Sequence, residues 1–196
     1  MASPADISDC ADLLAHAFRD DPIMTALWPN AVRRSQVLPT YFATSIRHHH
    51  LTGGGVLVVR DEAGRALAVA DWDPPGRYAQ PWGDALRGAP RLVSALGLRL
   101  PAALAVRRRL DSHAPAEPFW YLAHIGSCDT VRGRGFAAQL MRHHLVRVDA
   151  DEMPAYLVCT RAETVAFYQH FGFAYRNTIP LPNGVAVTGM WRPATS

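Results

Sequence analysis

The chain has 196 residues, a formal net charge of +3, 49% hydrophobic and 19% charged residues, an ordinary globular balance rather than a disordered one. So small a net charge gives no strong footprint for nucleic acid. No apolar run reaches the ~20 residues needed to cross a bilayer, and the N-terminus lacks the basic segment and apolar core of a secretory signal. A cytoplasmic protein without a membrane or nucleic-acid partner is expected, folded as one domain over 1–196. All 20 basic residues are Arg, which keeps the fork-shaped anion donor available.

In chain order, Ser3-Pro4-Ala5-Asp6 reads as a helix start, with Ser3 capping and Pro4 at the first helical position. Ile7, Cys10, Ala11, Leu14 and Phe18 then recur at helical spacing, and Asp20-Asp21-Pro22 ends that helix. A second helix is expected over about Val32 to His50. Gly53-Gly54-Gly55 reads as a turn. Val56 to Arg60 and Ala66 to Trp72 read as a hairpin around Asp61-Glu62-Ala63-Gly64. The Pro-, Gly- and Arg-rich stretch 78–115 is expected to be an insert of small helices. Its Arg107-Arg108-Arg109 run reads as a solvated helix face, because no aromatics interleave it.

Pro118 to Ser127 reads as a strand, Phe136 to Val148 as a helix and Tyr156 to Cys159 as a buried strand. A short helix with Val165, Phe167 and Tyr168 follows, then a hairpin of Phe173–Ile179 and Val185–Trp191 around Pro182-Asn183-Gly184. The result is an α/β (α+β) domain with a mostly antiparallel sheet flanked by helices. The strands around Leu122 and Leu157 are joined by a helix, so that central pair should be parallel.

The most informative stretch is strand, then Arg132-Gly133-Arg134-Gly135-Phe136-Ala137, then helix. Glycines let the backbone approach a ligand and present successive N–H groups. A helix start adds unpaired donors and partial positive charge. The assembly should bind a pyrophosphate. A phosphate loop of the Lys-Ser/Thr type is excluded, since no such pair follows the glycines. Gly133-x-Gly135-x-x-Ala138 also fits a dinucleotide fingerprint. The place of its acidic ribose ligand, however, holds Cys159-Thr160-Arg161, and too few residues follow for a doubly wound fold.

These residues resemble the acetyl-CoA motif of the GNAT N-acetyltransferase superfamily, Arg/Gln-x-x-Gly-x-Gly/Ala, at Arg132, Gly135 and Ala137. Ala166-Phe167-Tyr168-Gln169-His170-Phe171-Gly172-Phe173 resembles the same superfamily's late helix-turn. Ala17–Pro22, Val69–Trp72 and Glu117–Ala123 resemble the branch containing puromycin N-acetyltransferase. The resemblance implies a splayed central strand pair and direct attack of an amine on the acetyl-CoA thioester. Ile125 and Ser127 would hold the acyl oxygen and pantetheine arm. Arg132, Gly133, Arg134, Gly135, Phe136 and Ala137 would hold the pyrophosphate, with Thr164 where the family often has Asn. Tyr168 would donate a proton to the leaving thiolate, and His124, Glu117 or a water would serve as base. Asp21, Trp28, Tyr41 and Trp72, with Asp20 and Phe42, fall where relatives line the acceptor pocket. The family's first strand is expected to be short or missing.

The expected activity is acetyl transfer to a small-molecule amine, antibiotic-like or from secondary metabolism, by a monomer or homodimer. The alternatives are a CoA-binding regulator, an inactive relative and a protein N-acetyltransferase. No metal site is expected. Cys10, Cys128 and Cys159 form no ligand pattern and should be reduced thiols. Neighbouring residues in His48-His49-His50 and His143-His144 point to different helix faces, so both runs read as a solvated or partly packed helix surface rather than a metal site.

Overall fold

The computed structural model describes residues 1–51, 55–78, 90–182 and 184–195. Gly53, Gly54, Asn183 and 79–89 of the expected insert lie outside the described residues. Helix α1 (Ile7–Ala17) follows a 3-10 turn at Pro4–Asp6. Ser3 N–H and hydroxyl both donate to Asp6 Oδ2, at 2.6 and 2.8 Å, closing the capping arrangement expected there. Ala2 N–H donates to Val56 C=O at 2.8 Å. That single bond stands where a first strand was expected to be short or missing.

Asp21-Pro22 does more than end α1. Asp21 caps a further helix, α2 (Pro22–Leu27), by accepting from Ile23 N–H at 2.9 Å and Met24 N–H at 3.2 Å. Helix α3 spans Ala31–Ser45 and runs on into a π-helical turn at Ile46–His50. Strand β1 (Val56–Arg60) turns into β2 (Ala66–Asp73). Gly64 supplies the positive φ of +82° that the turn needs. Two helices, α4 (Pro90–Leu96) and α5 (Leu100–Asp111), lie in the segment expected to be a helical insert. Then come β3 (Trp120–Ser127), α6 (Phe136–Ala150), β4 (Ala155–Cys159), α7 (Val165–Gln169), β5 (Ala174–Pro180) and β6 (Ala186–Arg192).

The six strands form one sheet in the order β1-β2-β3-β4-β6-β5. Every neighbouring pair is antiparallel except β3 and β4. Those two pair in parallel at Trp120↔Ala155, Tyr121↔Tyr156 and Leu122↔Leu157, and then part. From Ala123 onward, β3 keeps its partner β2 and has none on its β4 side. The splay opens a slot in the middle of the sheet.

Alternation along the strands sorts side chains between two cores. Val56 and Val69 pack under α1 and α3 with Leu14, Leu38 and Phe42. Leu57, Ala68, Ala70 and Trp72 pack under α6 with Leu140, Met141 and Val148. The expected surface run His143-His144 is corrected here. His144 is 3% exposed and stacks on Trp72, with ring centroids 4.4 Å apart and planes at 17°. Burial takes its pKa down to about 3, so it is held neutral. Arg107 also departs from a solvated face: its guanidinium lies 4.6 Å from the Tyr78 ring centroid and pairs with Asp111 at 2.7 Å.

Candidate active site

Alternation along β3 breaks once. β2 and β3 pair as Asp71↔His124 and then Trp72↔Leu122, so Ala123 is an extra residue in β3. Without this bulge Leu122 and His124 would share a face. With it, Leu122 stays in the core under α6, and His124 turns to the α1–α3 side among Phe18, Phe42 and His50. The ring centroids there lie 5.6, 5.1 and 5.4 Å away. Asp71, alternate to Trp72, faces the same side. His124 Nδ1 lies 3.1 Å from Asp71 Oδ2.

A second imidazole–carboxylate pair adjoins the first. The π-helical turn carries His50 inward, to 3% exposure. Its Nδ1 is 2.7 Å from Asp73 Oδ1, and its Nε2 is 3.1 Å from the Ser45 hydroxyl. His49 Nε2 reaches the other Asp73 oxygen at 3.6 Å. Burial opposes charge on His50, but the Asp73 charge and hydrogen bond, with Asp71 nearby, outweigh it and raise its pKa above 6.5. Burial likewise opposes charge on Asp73, and His50 outweighs it, holding the carboxyl below its usual range. On His49 burial wins and lowers the pKa. The His48–His50 run is therefore not a surface stripe: His48 is exposed, His49 half-buried and His50 buried.

His49, His50, Asp73 and His124 line one end of a cavity of about 1080 Å³ that runs through the splay, with Asp71 buried behind His124. Its walls include Phe18, Asp21, Tyr41, His50, Arg107 and His124 at that end. Ile125, Ser127 and Tyr168 line the slot, and Arg132, Gly133, Gly135, Phe136 and Ala137 line the far end. At that far end Gly133 and Gly135 adopt φ of +79° and +86°, the left-handed region that glycine enters without strain. The first i→i−4 bond of α6 runs from Gln139 N–H to Gly135 C=O at 2.9 Å. Phe136, Ala137 and Ala138 thus have N–H groups without an intrahelical acceptor, the usual donors for an anion. Arg132 lines the cavity and pairs with Asp129 at 2.6 Å. Arg134 is exposed and outside the lining. Arg161, which in the sequence stands at the place of a dinucleotide fold's acidic ribose ligand, does line the cavity.

Tyr168 lies at the junction. Among the described residues its hydroxyl makes no hydrogen bond, and burial, with Cys159 and Asp21 nearby, raises its pKa well above 10. Thr164 lines the cavity; its hydroxyl donates to Arg161 C=O at 2.9 Å and lies 3.1 Å from Cys159 Sγ. Asp21 is 2% exposed and accepts from the Thr160 hydroxyl as well as from α2. Tyr41 lines the acceptor end, and burial raises its pKa to about 12. Trp28 and Trp72 are not brought to the cavity. Trp28 packs against Tyr41 with ring centroids 5.7 Å apart, and Trp72 lies on the opposite face of the sheet against His144. Phe42 is fully buried behind His124, and Asp20 is exposed.

No protein-family model matches the chain. An uncharacterized N-acetyltransferase of Schizosaccharomyces pombe is 27% identical over 191 residues, covering 90% of this chain and 74% of its own. A solved structure of histone acetyltransferase HPA2 and related acetyltransferase from Corynebacterium glutamicum superposes with a TM-score of 0.76. It is 27% identical and covers 100% of this chain and 94% of its own. An N-acetyltransferase structure from Staphylococcus aureus shares the fold at a TM-score of 0.67 and 17% identity, covering 97% of each chain. The homologue and the Corynebacterium glutamicum structure support an acetyltransferase of the GNAT kind.

Proposed function

We propose that the chain transfers an acetyl group from acetyl-CoA to a small-molecule primary amine. One observation carries this reading: a single cavity joins the N–H cradle at Gly133–Ala138 to Tyr168 and to His124, which Asp71 backs. The pyrophosphate would sit on the cradle and Arg132. The pantetheine arm would run along the β3 backbone at Ile125–Ser127, where β4 has parted. The thioester then lies in the slot.

The neutral amine attacks the thioester carbonyl from the histidine-lined end. The C–N bond forms, the C–S bond breaks, and the acyl oxygen is held by β3 backbone N–H groups. The amine loses a proton to His124, which Asp71 orients. Tyr168 keeps its proton at neutral pH because burial raises its pKa. The gap to a thiol near 8.5 is wider than for an exposed phenol. Its role is therefore a hydrogen bond to the departing thiolate, rather than the full proton transfer that an ordinary phenol would make. A small acceptor is favoured because the end beside His124 is concave and walled by α3 and α5, with Tyr41, Val106 and Leu110 supplying apolar contact.

Calorimetric titration with acetyl-CoA tests the first half of this reading. A thiol-release assay over small amines, puromycin and N-terminal peptides tests the second. Micromolar binding with release for a small amine supports it. Release for peptides alone replaces the acceptor class, and binding without release for any acceptor points to a CoA-binding module. No binding overturns it.

A further inference from the structure

Acetyl transfer as described gives no task to His50 or Asp73, and leaves one atom of Asp71 unexplained. Asp71 is 0% exposed, and its Oδ1 has no hydrogen-bond partner among the described residues. A buried carboxylate oxygen left unpaired carries its full desolvation cost, so such an atom points to something it has yet to meet. Close to it stand two imidazoles from two other elements, His124 of β3 and His50 of the π-helical turn.

We propose that His50, Asp71 and His124 form a site for one divalent cation of the zinc type at the acceptor end of the cavity, with Asp73 orienting His50. One donor atom from each of the three residues lies within 4.8 Å of the others. Ligands at ~2.1 Å around a tetrahedral ion sit about 3.4 Å apart. His124 Nδ1 and Asp71 Oδ2, at 3.1 Å, are near that spacing, and the 4.8 Å limit on the three atoms leaves no more than about 1.4 Å to close. Two imidazoles and one carboxylate suit Zn²⁺ and its first-row neighbours, whereas Mg²⁺ and Ca²⁺ prefer all-oxygen shells. The arrangement also has the support such sites use: a ligating His commonly gives its other nitrogen to a carboxylate, and Asp73 pairs with His50 at 2.7 Å. With Nδ1 kept on Asp73, His50 ligates through Nε2 and exchanges its hydrogen bond to Ser45 for the ion. His50 and His124 both border the cavity, which leaves a fourth position open to solvent or an acceptor.

The site stands independently of the acetyl-transfer reading, although the two share His124. An ion on His124 Nδ1 replaces the hydrogen bond to Asp71 and leaves the ring proton on Nε2, the nitrogen that would take the amine's proton, so ion binding and proton transfer exclude each other there. A bound divalent cation would then act as an inhibitor or regulator of transfer.

The test is titration of the full chain, stripped with chelator, with Co²⁺ followed by absorbance and with Zn²⁺ followed by calorimetry. One equivalent with the intense visible bands of a four-coordinate Co²⁺ site is expected. His50→Ala and His124→Gln should each weaken binding at least about 100-fold, and Asp73→Asn about 10- to 100-fold. His48→Ala and His143→Ala should change nothing. Circular dichroism and acetyl-CoA affinity, unchanged in each variant, show that the fold and the cofactor end survive. No binding overturns the proposal, as does binding that persists in both His50→Ala and His124→Gln, which would be adventitious capture by other histidines. Either result leaves the acetyl-CoA reading untouched.

Discussion

Asp71 and His124 face each other across β2 and β3, with His124 Nδ1 3.1 Å from Asp71 Oδ2, because one extra residue, Ala123, reverses the alternation of β3. Asp71→Asn keeps the shape of this contact and removes its charge. With chelator present, so that no ion contributes, kcat should fall about tenfold or more while acetyl-CoA affinity stays within twofold. An unchanged kcat would remove Asp71–His124 from proton transfer.

Tyr168→Phe deletes one hydroxyl beside the slot. Loss of a hydrogen bond made to the departing thiolate should lower kcat by about 10²-fold, with little change in the Kd for acetyl-CoA. A loss of affinity at constant kcat would instead mark Tyr168 as a packing residue.

The cradle glycine at Gly135 has φ +86°, and nothing lies within 4 Å of an added Cβ, so Gly135→Ala acts through the backbone alone. Placing an L residue in the left-handed region costs about 1–2 kcal/mol, and the loop is expected to relax away from the anion. Weaker acetyl-CoA binding with kcat retained at saturation is the outcome to seek by calorimetry and steady-state kinetics.

Gly126 sets how closely α1 lies on β3. A Cβ there would stand 2.8 Å from the Ala17 Cβ, so Gly126→Ala should destabilise the chain by about 1–3 kcal/mol in urea unfolding. Adding Ala17→Gly removes the clashing atom and should restore part of the loss. Strict additivity of the two would show that the contact is not the cause.

His144 gives the fold an acid sensitivity. Burial holds its folded pKa at about 3, against about 6.5 when unfolded. Above pH 6.5 neither state binds this proton, and the full stability is present. As pH falls from 6.5 toward 3 the unfolded chain takes up the proton and the folded one does not, so stability declines. By pH 5 the loss is on the order of 2 kcal/mol. His144→Phe, stacked on Trp72 in its place, should flatten that part of the curve. Denaturant midpoints from pH 7 to 5 would show it.

The sequence by itself determined the order of most elements and the glycine turn that opens α6. Periodicity specifies α1, α3, α6 and the strand sequence, and glycines beside a helix start specify the cradle, because both signals are local in the chain. It missed α2, whose cap Asp21 reads equally well as a helix stop, and it placed Trp28 and Trp72 in a pocket that neither borders. It also judged His48-His49-His50 and His143-His144 as runs, although His50 and His144 are buried by contacts with β2 and β3. Only the tertiary structure decided the histidine-lined end. A one-residue bulge at Ala123 selects the face of His124, a π-helical turn selects the face of His50, and Asp71 lies 53 residues from His124 along the chain. Register and helix pitch are properties of paired backbones, so no local pattern around any one of these residues records where the others will be.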